Sequence, residues 1–513
     1  MLGFRGFRRH QTGLWLFLCL SLTVPLELLA RQDVKEAIVK IYTVHNSPDY
    51  YDPWSMHGPS ASMGSGCIVK GNKILTNAHV VSDETFIQVR RFGESKRFQA
   101  HVASISHAAD LALLIVDDPA FFDGVEPLAV AGLPHAQQEV LVYGFPMGGD
   151  TLSITKGVIS RIENQTYAHS SASFLAVQID AAVNPGNSGG PAIIDNQIVG
   201  VAMQGMSQAD NIGYIVPAPI IRHFLDDIQD GAYHGFPSMG VLLQSMENSS
   251  LKEMYRMTNG MTGMLVTKIL PDSPADGRLK QGDVLLSVDQ IPVADDGTIE
   301  FRPKERTSVS YLVQKHQIGD PLDIEVWREG KKESLKLILN HPLEDDRLIP
   351  LEQYDTTPDY FIYGGVVFCP LTQNLLKAWG AKWYDAAPKD LLALLGNNVK
   401  TDDRDQVVLA LKVLAADVNE GYHETANWAI TEVNGKPIRN LKELVAQVEA
   451  GAGRFIVFAD KQGNQLVLNR EKVEAQKAAI LKTYHIPQDR SANLMTAEKP
   501  SQVAEDALTH KSP

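Results

Sequence analysis

Between residues 33 and 227 the chain alternates short apolar runs with polar breaks. The runs read "AIVKIYTV", "GSGCIVKGNKILTNAHVV", "TFIQVRRF", "LALLIVDD", "EVLVYGFP", "TLSITKGVISRI", "FLAVQIDAAV", "QIVGVAMQG" and "IGYIVP". They are rich in β-branched residues and bounded by Gly, Asn and Asp. That pattern predicts an all-β sandwich or barrel, not strands alternating with long helices. A short helix is expected at 219–228, "PIIRHFLDDI", and residues 45–63 read as a surface loop rich in aromatics.

After "QDGAYHGFPS" a second unit begins. "MGVLLQSM", "GMLVTKIL" and "GDVLLSVDQIPV" predict strands, "TSVSYLVQKH" has helical spacing, and "LDIEVWREGKKESLKLIL" predicts a closing hairpin. An acidic, proline-containing connector at 342–358 suggests a boundary. A third unit repeats the plan: "IYGGVVFCPL", "WAITEVNGKPI", the amphipathic "NLKELVAQVE" and a hairpin in "RFIVFADKQGNQLVLN". Its Asn434-Gly435 pair between apolar runs is a strong hairpin-turn signal. Residues 471–484 predict a helix, and the polar tail from 489 to 513 predicts disorder.

The sequence therefore divides into 1–30 as a leader, 33–230 as the all-β unit, 231–343 and 350–470 as two α+β units, and 471–513 as a helix and tail. A length of 513 residues agrees with three or so domains. Hydrophobic content of 44% and charged content of 21% fit a globular protein. A net charge of −14 argues against a nucleic-acid surface, which requires clustered cations, and favours proteins or peptides as partners. Arg5, Arg8 and Arg9 precede an apolar run at 14–26, with the small Ala30 beyond it. This reads as an export signal, too short for the roughly 20 residues of a membrane span, with an uncleaved anchor as the alternative. Of three cysteines, Cys19 lies in this run; Cys67 and Cys369 are far apart, so no disulfide framework or metal-ligand pattern is indicated. No cofactor is expected.

One stretch carries more than turn chemistry. "NPGNSGGP", residues 184–191, holds Ser188 among glycines. A serine hydroxyl attacks only with a base in reach, an orienting carboxylate behind the base, and N–H donors for the developing oxyanion. His79 in "ILTNAHVV" and Asp110 in "ADLALLIV" precede Ser188 by 109 and 78 positions, giving the order His–Asp–Ser of two-barrel serine proteases. Gly186 and Ser188 are the candidate N–H donors. His101 and His107 read as surface or structural residues.

Together "TNAHVV", "ADLALL", "YGFPMGG" and "DAAVNPGNSGGP" resemble the Deg/HtrA serine proteases, over roughly residues 33–485. The second half is most similar to a plant-type subgroup with a divergent second PDZ domain, through "PDYFIYGGVVF" and "VNGKPIRNLKEL". The resemblance implies a mainly β fold: a chymotrypsin-like double β-barrel followed by two PDZ-like α+β domains. It implies His79 as general base, Asp110 as its partner and Ser188 as nucleophile. It places Ala182 at the floor of the substrate pocket, with walls from Val201, Ala202, Met203, Ile212 and Tyr214. A floor without an acid implies cleavage after small or medium aliphatic residues. Met239, Gly240 and Val241, with Leu312 on a helix, match a PDZ peptide-binding loop and groove; Tyr363-Gly364-Gly365-Val366 matches more loosely, with a purely structural or assembly role for the second domain as the alternative. The implied function is ATP-independent degradation of unfolded or damaged proteins in the cell envelope. Peptides with apolar C-termini are the implied PDZ ligands, and homo-oligomers built from trimers the implied assembly, for which Tyr50, Tyr51 and Trp54 are candidate contacts. A chaperone or scaffold with a latent protease is the competing function.

Overall fold

The computed structural model describes residues 33–205, 212–258, 260–395 and 399–495. The expected leader at 1–30 therefore lies outside the described residues, as does most of the tail. No helix among the described residues is long and apolar enough to cross a membrane.

The first twelve strands close into two barrels of six. The first comprises β1 (Ile38–His45), β2 (Ser60–Val69), β3 (Lys73–Thr76), β4 (Glu84–Arg91), β5 (Phe98–Ser106) and β6 (Leu111–Val116), in the order β1-β2-β3-β6-β5-β4. The second comprises β7 (Glu139–Gly144), β8 (Ser153–Thr166), β9 (Ser173–Ile179), β10 (Pro191–Ile194), β11 (Gln197–Gly205) and β12 (Gly213–Pro217), in the order β10-β11-β12-β9-β8-β7. Apolar side chains buried along these strands drive closure. In the second barrel Val140, Val142, Ile159, Val177, Ile179 and Ile215 meet in one buried cluster, and closing the sheet leaves no edge to pair elsewhere. A single turn, α1 (Ala78–Val81), follows β3, and α2 (Ala218–Asp227) follows β12 as the apolar spacing predicts.

The second unit builds one sheet from β13 (Val241–Ser245), β14 (Met264–Ile269), β15 (Val284–Val288), β19 (Pro321–Arg328) and β20 (Lys331–Ile338), with β16 (Ile291–Pro292) on β15. Strands β17 (Thr298–Arg302) and β18 (Glu305–Ser308) pair separately; α3 (Ser249–Met254) and α4 (Ser310–Gln314) complete the unit. Strand β13 stands at the sheet's edge. The unit is docked on the second barrel: Gln314 Nε2 donates to the Ser173 carbonyl at 2.9 Å, and Arg302 donates to the carbonyls of Leu133 and Pro134 at 2.6 and 2.7 Å.

The third unit has two four-stranded sheets. One holds β21 (Phe361–Tyr363), β22 (Val366–Pro370), β23 (Val408–Val413) and β24 (Trp428–Ile430). The other holds β25 (Glu432–Val433), β26 (Lys436–Pro437), β27 (Phe455–Ala459) and β28 (Gln465–Asn469). Helices α5 (Gln373–Lys377), α6 (Trp383–Ala386), α7 (Lys389–Leu395), α8 (Leu441–Ala450) and α9 (Arg470–Thr483) pack around them. Asn434 and Gly435 both take positive φ, 52° and 72°, in the β25–β26 hairpin, and Asp289 and Gln290 do so at 48° and 65° in the β15–β16 hairpin. The repeat read from element order is thus carried down to the turn conformation.

Three expectations need correction. Residues 489–491 are ordered, because Ser491 N–H donates to the Tyr360 carbonyl at 3.0 Å and Ile362 N–H to the Asp489 carbonyl at 2.7 Å. The aromatic loop at 45–63 is only in part a free surface: Tyr50 is buried and Trp54 half-buried, while Tyr51 stays exposed. Tyr51 meets Trp379 at 6.4 Å, Trp54 meets Tyr360 at 5.9 Å, and Lys412 reaches Asp52 at 2.5 Å and covers the Tyr51 ring. The loop therefore spends its aromatics on the chain's own third unit. Finally, Gly364 and Gly365, at φ 58° and 85°, form the tight turn between β21 and β22, and β21 covers the β22 edge on which a peptide would add.

Candidate active site

The turn α1 projects His79 from the end of β3, and Asp110 ends the turn before β6. Asp110 is buried and sits at φ 54°, a left-handed conformation that Asp tolerates better than most residues. Its backbone is pinned, since Asn77 Nδ2 donates to the Asp110 carbonyl at 2.7 Å. The carboxylate accepts from His79 Nδ1 at 2.8 and 3.0 Å and from the His79 backbone N–H at 3.0 Å. The imidazole is thereby fixed in position and tautomer, leaving Nε2 toward the site. Burial pulls the His79 value down, but the charge and hydrogen bond of Asp110 outweigh it and hold His79 above the ordinary histidine range. Burial pushes Asp110 up, and His79 with neighbouring His169 brings it below the usual carboxylate value.

Ser188 is half-buried in the turn before β10. Its Oγ lies 3.5 Å from the Met203 carbonyl, and no hydrogen bond joins it to His79 among the described residues. The glycines beside it are demanded by close approach. A Cβ on Gly189, at φ 83°, would lie 2.1 Å from the Ser65 carbonyl oxygen, and one on Gly190 2.0 Å from that of Tyr143. Gly186 has φ 97°, and a Cβ there would lie 2.5 Å from the Phe145 carbonyl oxygen. The Pro185 carbonyl accepts from Met147 N–H at 2.8 Å. Because N–H and C=O oppose each other across a trans peptide, this bond turns the Gly186 N–H away from that loop. Neither the Gly186 nor the Ser188 N–H donates to another group among the described residues. Two free donors beside a serine can receive an oxyanion.

The pocket residues spread over two environments. Val201, Met203 and Tyr214 belong to the large core that spans the barrels. Ala202 packs inside the second barrel, and its backbone N–H and C=O bond Gly190 and Gly189. The Tyr214 hydroxyl donates to Glu163 at 2.9 Å and accepts from Arg161 at 3.2 Å, so its ring is directed at β8. Ala182 and Ile212 are half-buried, and the Ala182 carbonyl accepts from Thr155 Oγ1 at 3.2 Å. Residues 206–211, between the expected walls, lie outside the described residues.

In the second unit Met239 and Leu312 are buried in its core, and Val241 is half-buried at the start of the edge strand. Gly240 takes φ 71°, and a Cβ there would lie 2.1 Å from Ser273 Cβ. Its N–H donates to Ser238 Oγ at 3.0 Å.

The neighbourhood of the dyad holds residues that sequence reading passed over. His169, on the β8–β9 loop, lies 6.1 Å from His79, ring centroid to centroid. Its Nε2 is 3.0 Å from His107 Nδ1, and His107 Nε2 is 2.8 Å from Asp355 Oδ2. Tyr354 stacks on His169 and donates its hydroxyl to the His169 carbonyl at 2.9 Å. Burial, above all, depresses the His169 value to about 3. The only signal in the sequence was the histidine at 107 three residues before Asp110. Nothing local marks a connector residue such as Tyr354 as its partner.

Double barrel, dyad and serine turn define a trypsin-like serine protease. Residues 64–201 match the model of the trypsin-like peptidase domain, and 237–339 and 349–493 each match a PDZ domain model. The chain is 38% identical to Protease Do-like 2, chloroplastic, of Arabidopsis thaliana, over 90% of this chain and 75% of that protein. It is 38% identical to Protease Do-like 4, mitochondrial, of the same plant, over 88% and 84%. A serine protease DegP homolog of Plasmodium falciparum is 28% identical over 81% of this chain and 58% of that one. The HtrA-type protease AlgW with decapeptide covers 60% of this chain and 96% of its own at 21% identity, with a TM-score of 0.45. The chain belongs to the Deg/HtrA family of Do-like serine proteases, and it is a serine endopeptidase.

Proposed function

We propose that the chain hydrolyses peptide bonds in unfolded or damaged proteins without ATP, with Ser188 as nucleophile, His79 as general base and Asp110 as its orienting partner. The observation that carries this reading is the buried Asp110–His79 pair at 2.8 Å beside a serine flanked by two unpaired N–H groups. His79 takes the proton of Ser188 Oγ as it attacks the scissile carbonyl, and the N–H groups of Gly186 and Ser188 receive the oxyanion. His79 then returns the proton to the leaving amine, and water repeats the cycle on the acyl-enzyme. Attack requires the Ser188 hydroxyl to leave the Met203 carbonyl and turn toward His79 Nε2. No phosphate-cradling Gly-Lys-Ser/Thr loop occurs in the sequence, so the substrate's own disorder must expose the bond.

Ala182 at the pocket floor, which carries no acid, and the half-buried apolar Ile212 favour small or medium aliphatic residues before the scissile bond. The first PDZ domain takes peptides with apolar C-termini on the β13 edge. The protein assembles as a homo-oligomer built from trimers, with the exposed Tyr51 the candidate contact left among Tyr50, Tyr51 and Trp54. It works outside the cytosol. The relatives named as chloroplastic and mitochondrial favour an organellar compartment over a periplasm.

Incubation of the full chain and of Ser188→Ala with casein tests the reading. Wild type is expected to fragment casein without nucleotide, and Ser188→Ala to leave it whole. Intact casein with wild type, across temperature and added apolar peptides, would overturn it.

A further inference from the structure

The N–H of Gly186 can stabilise an oxyanion only if the glycine is held. Gly186 has φ 97° and no side chain to anchor it, so its direction depends on the two peptide planes that flank it. The plane before it is clamped at the Pro185 carbonyl by Met147 N–H, at 2.8 Å. The plane after it is clamped at the Gly186 carbonyl, which accepts from Ser65 Oγ at 2.7 Å.

Ser65 does more than make that bond. It is fully buried on β2, and the same Oγ accepts from Phe145 N–H at 2.8 Å. Its backbone N–H donates to the Ser188 carbonyl at 2.9 Å, and its own carbonyl accepts from Thr76 Oγ1 at 2.7 Å. One residue of the first barrel thus grips the oxyanion glycine, the serine after it and the loop that follows β7.

The far end of that loop is tied to the strand paired with β2. Lys40 faces Ser65 across the β1–β2 ladder. It is 1% exposed, and its Nζ donates to the Gly149 carbonyl and to Asp150 Oδ1, both at 2.8 Å. A lysine is buried only where its ammonium is satisfied, and here the satisfying groups belong to the loop that supplies Met147 N–H. The cross-strand pair Lys40–Ser65 therefore sits beneath both clamps on Gly186.

We infer that Ser65 is a positioning residue for peptide hydrolysis: its hydroxyl fixes the Gly186–Asn187 peptide so that the Gly186 N–H meets the oxyanion, with Lys40 holding the loop that clamps the preceding peptide. This rests on Ser188 being the nucleophile. The hydroxyl touches no substrate atom. Its effect belongs to the transition state, where the oxyanion exists, and not to ground-state binding.

The test compares full-length wild type, Ser65→Ala, Lys40→Met and Ser188→Ala on a peptide amide with an aliphatic residue before the scissile bond. Thermal melts confirm folding. Labelling by a fluorophosphonate, whose adduct also places an oxygen in the oxyanion site, reports on the same donors without turnover. Ser65→Ala is expected to lower kcat about 10- to 100-fold, below the loss from removing an oxyanion donor outright. KM should stay within about 3-fold, and labelling of Ser188 should slow in proportion to kcat. Lys40→Met exchanges a buried ammonium for an apolar chain of similar length and is expected to fold, with a smaller loss of the same kind. It decides the matter if Ser65→Ala does not fold. Folded variants with wild-type kcat and labelling rate would overturn the inference while leaving the protease reading intact. Wild type that neither cuts nor labels at Ser188 would overturn both.

Discussion

Tyr354 lies with its ring stacked on that of His169, centroids 3.9 Å apart and planes inclined by 22°. One residue belongs to the connector between the two PDZ domains and the other to a protease loop whose histidine is 6.1 Å from His79. Asp355 adds to the contact by accepting from His107 Nε2 at 2.8 Å and from the Asp83 backbone N–H at 2.5 Å, while its own N–H donates to Asp83 Oδ1 at 2.8 Å. The connector is thus part of the wall around the catalytic dyad. Tyr354→Ala removes the stack and the bond to the His169 carbonyl. It is expected to destabilise the protein by about 1–3 kcal/mol, since Tyr354 is only half-buried. It should also speed tryptic cleavage at Arg347. A melt unchanged from wild type and an equally protected connector would show that the contact holds nothing.

The pH dependence of turnover follows from the dyad. His79 must be neutral to take the serine proton, and Asp110 holds it above the ordinary 6.5 in spite of burial. The acid limb of kcat/KM is therefore expected above pH 6.5. In Asp110→Asn the raising cause is gone and burial remains, so the limb of the residual activity should move below pH 6.5. The activity itself should fall by about 10⁴-fold through loss of the tautomer and of the imidazolium's partner. A pH–rate profile of both proteins, with active-site titration, checks the two effects. A limb that stays put in the variant would mean another group titrates.

Much of this was legible in the sequence because it was local. The short apolar runs "LALLIV" and "EVLVYG", bounded by polar breaks, are enough to place strands, and the His–Asp–Ser order with its flanking residues is enough to gather a dyad and a serine. What was not legible depends on contacts between distant segments. Ser65 and Lys40 occupy ordinary strand positions, and their role appears only when β1 and β2 are seen beneath the loop at 145–150. Tyr50 and Trp54 read as exposed because nothing near them is apolar enough to cover them; the cover comes from residues some three hundred positions on. The polar composition at 489–491 likewise hid a backbone pairing, which needs no apolar side chain. The Gly364-Gly365 pair fits either a carboxylate-binding loop or a hairpin, and only the pairing of Tyr363 with Val366 shows the second.

Acid stability should be set in part by His169. Its folded value is depressed to about 3, chiefly by burial, while in the unfolded chain it titrates near 6.5. Between these values the unfolded state binds the extra proton, so stability falls as pH drops from about 6.5 toward 3. His169→Phe keeps a ring for Tyr354 to stack on and removes the titration. The fall in melting temperature between pH 6.5 and 4.5 is expected to be shallower in this variant than in wild type, whatever the offset at neutral pH. Parallel curves would assign the acid loss to other groups.

Peptide binding should be confined to the first PDZ domain. Strand β13 stands at an open edge, with Leu242 41% exposed on it, whereas the corresponding edge of β22 is already paired with β21, and β21 in turn with residues 489–491. Adding a strand to β22 would require breaking that ladder, so the second site is closed at the cost of several backbone hydrogen bonds, each worth about 1 kcal/mol. A peptide with an apolar C-terminus is therefore expected to bind once per chain in calorimetry with the Ser188→Ala protein. Leu242→Glu, which places a negative charge beside the incoming strand and its carboxylate, should weaken binding at least about tenfold. Two equivalents bound per chain, or an unaffected affinity in Leu242→Glu, would move the site away from β13.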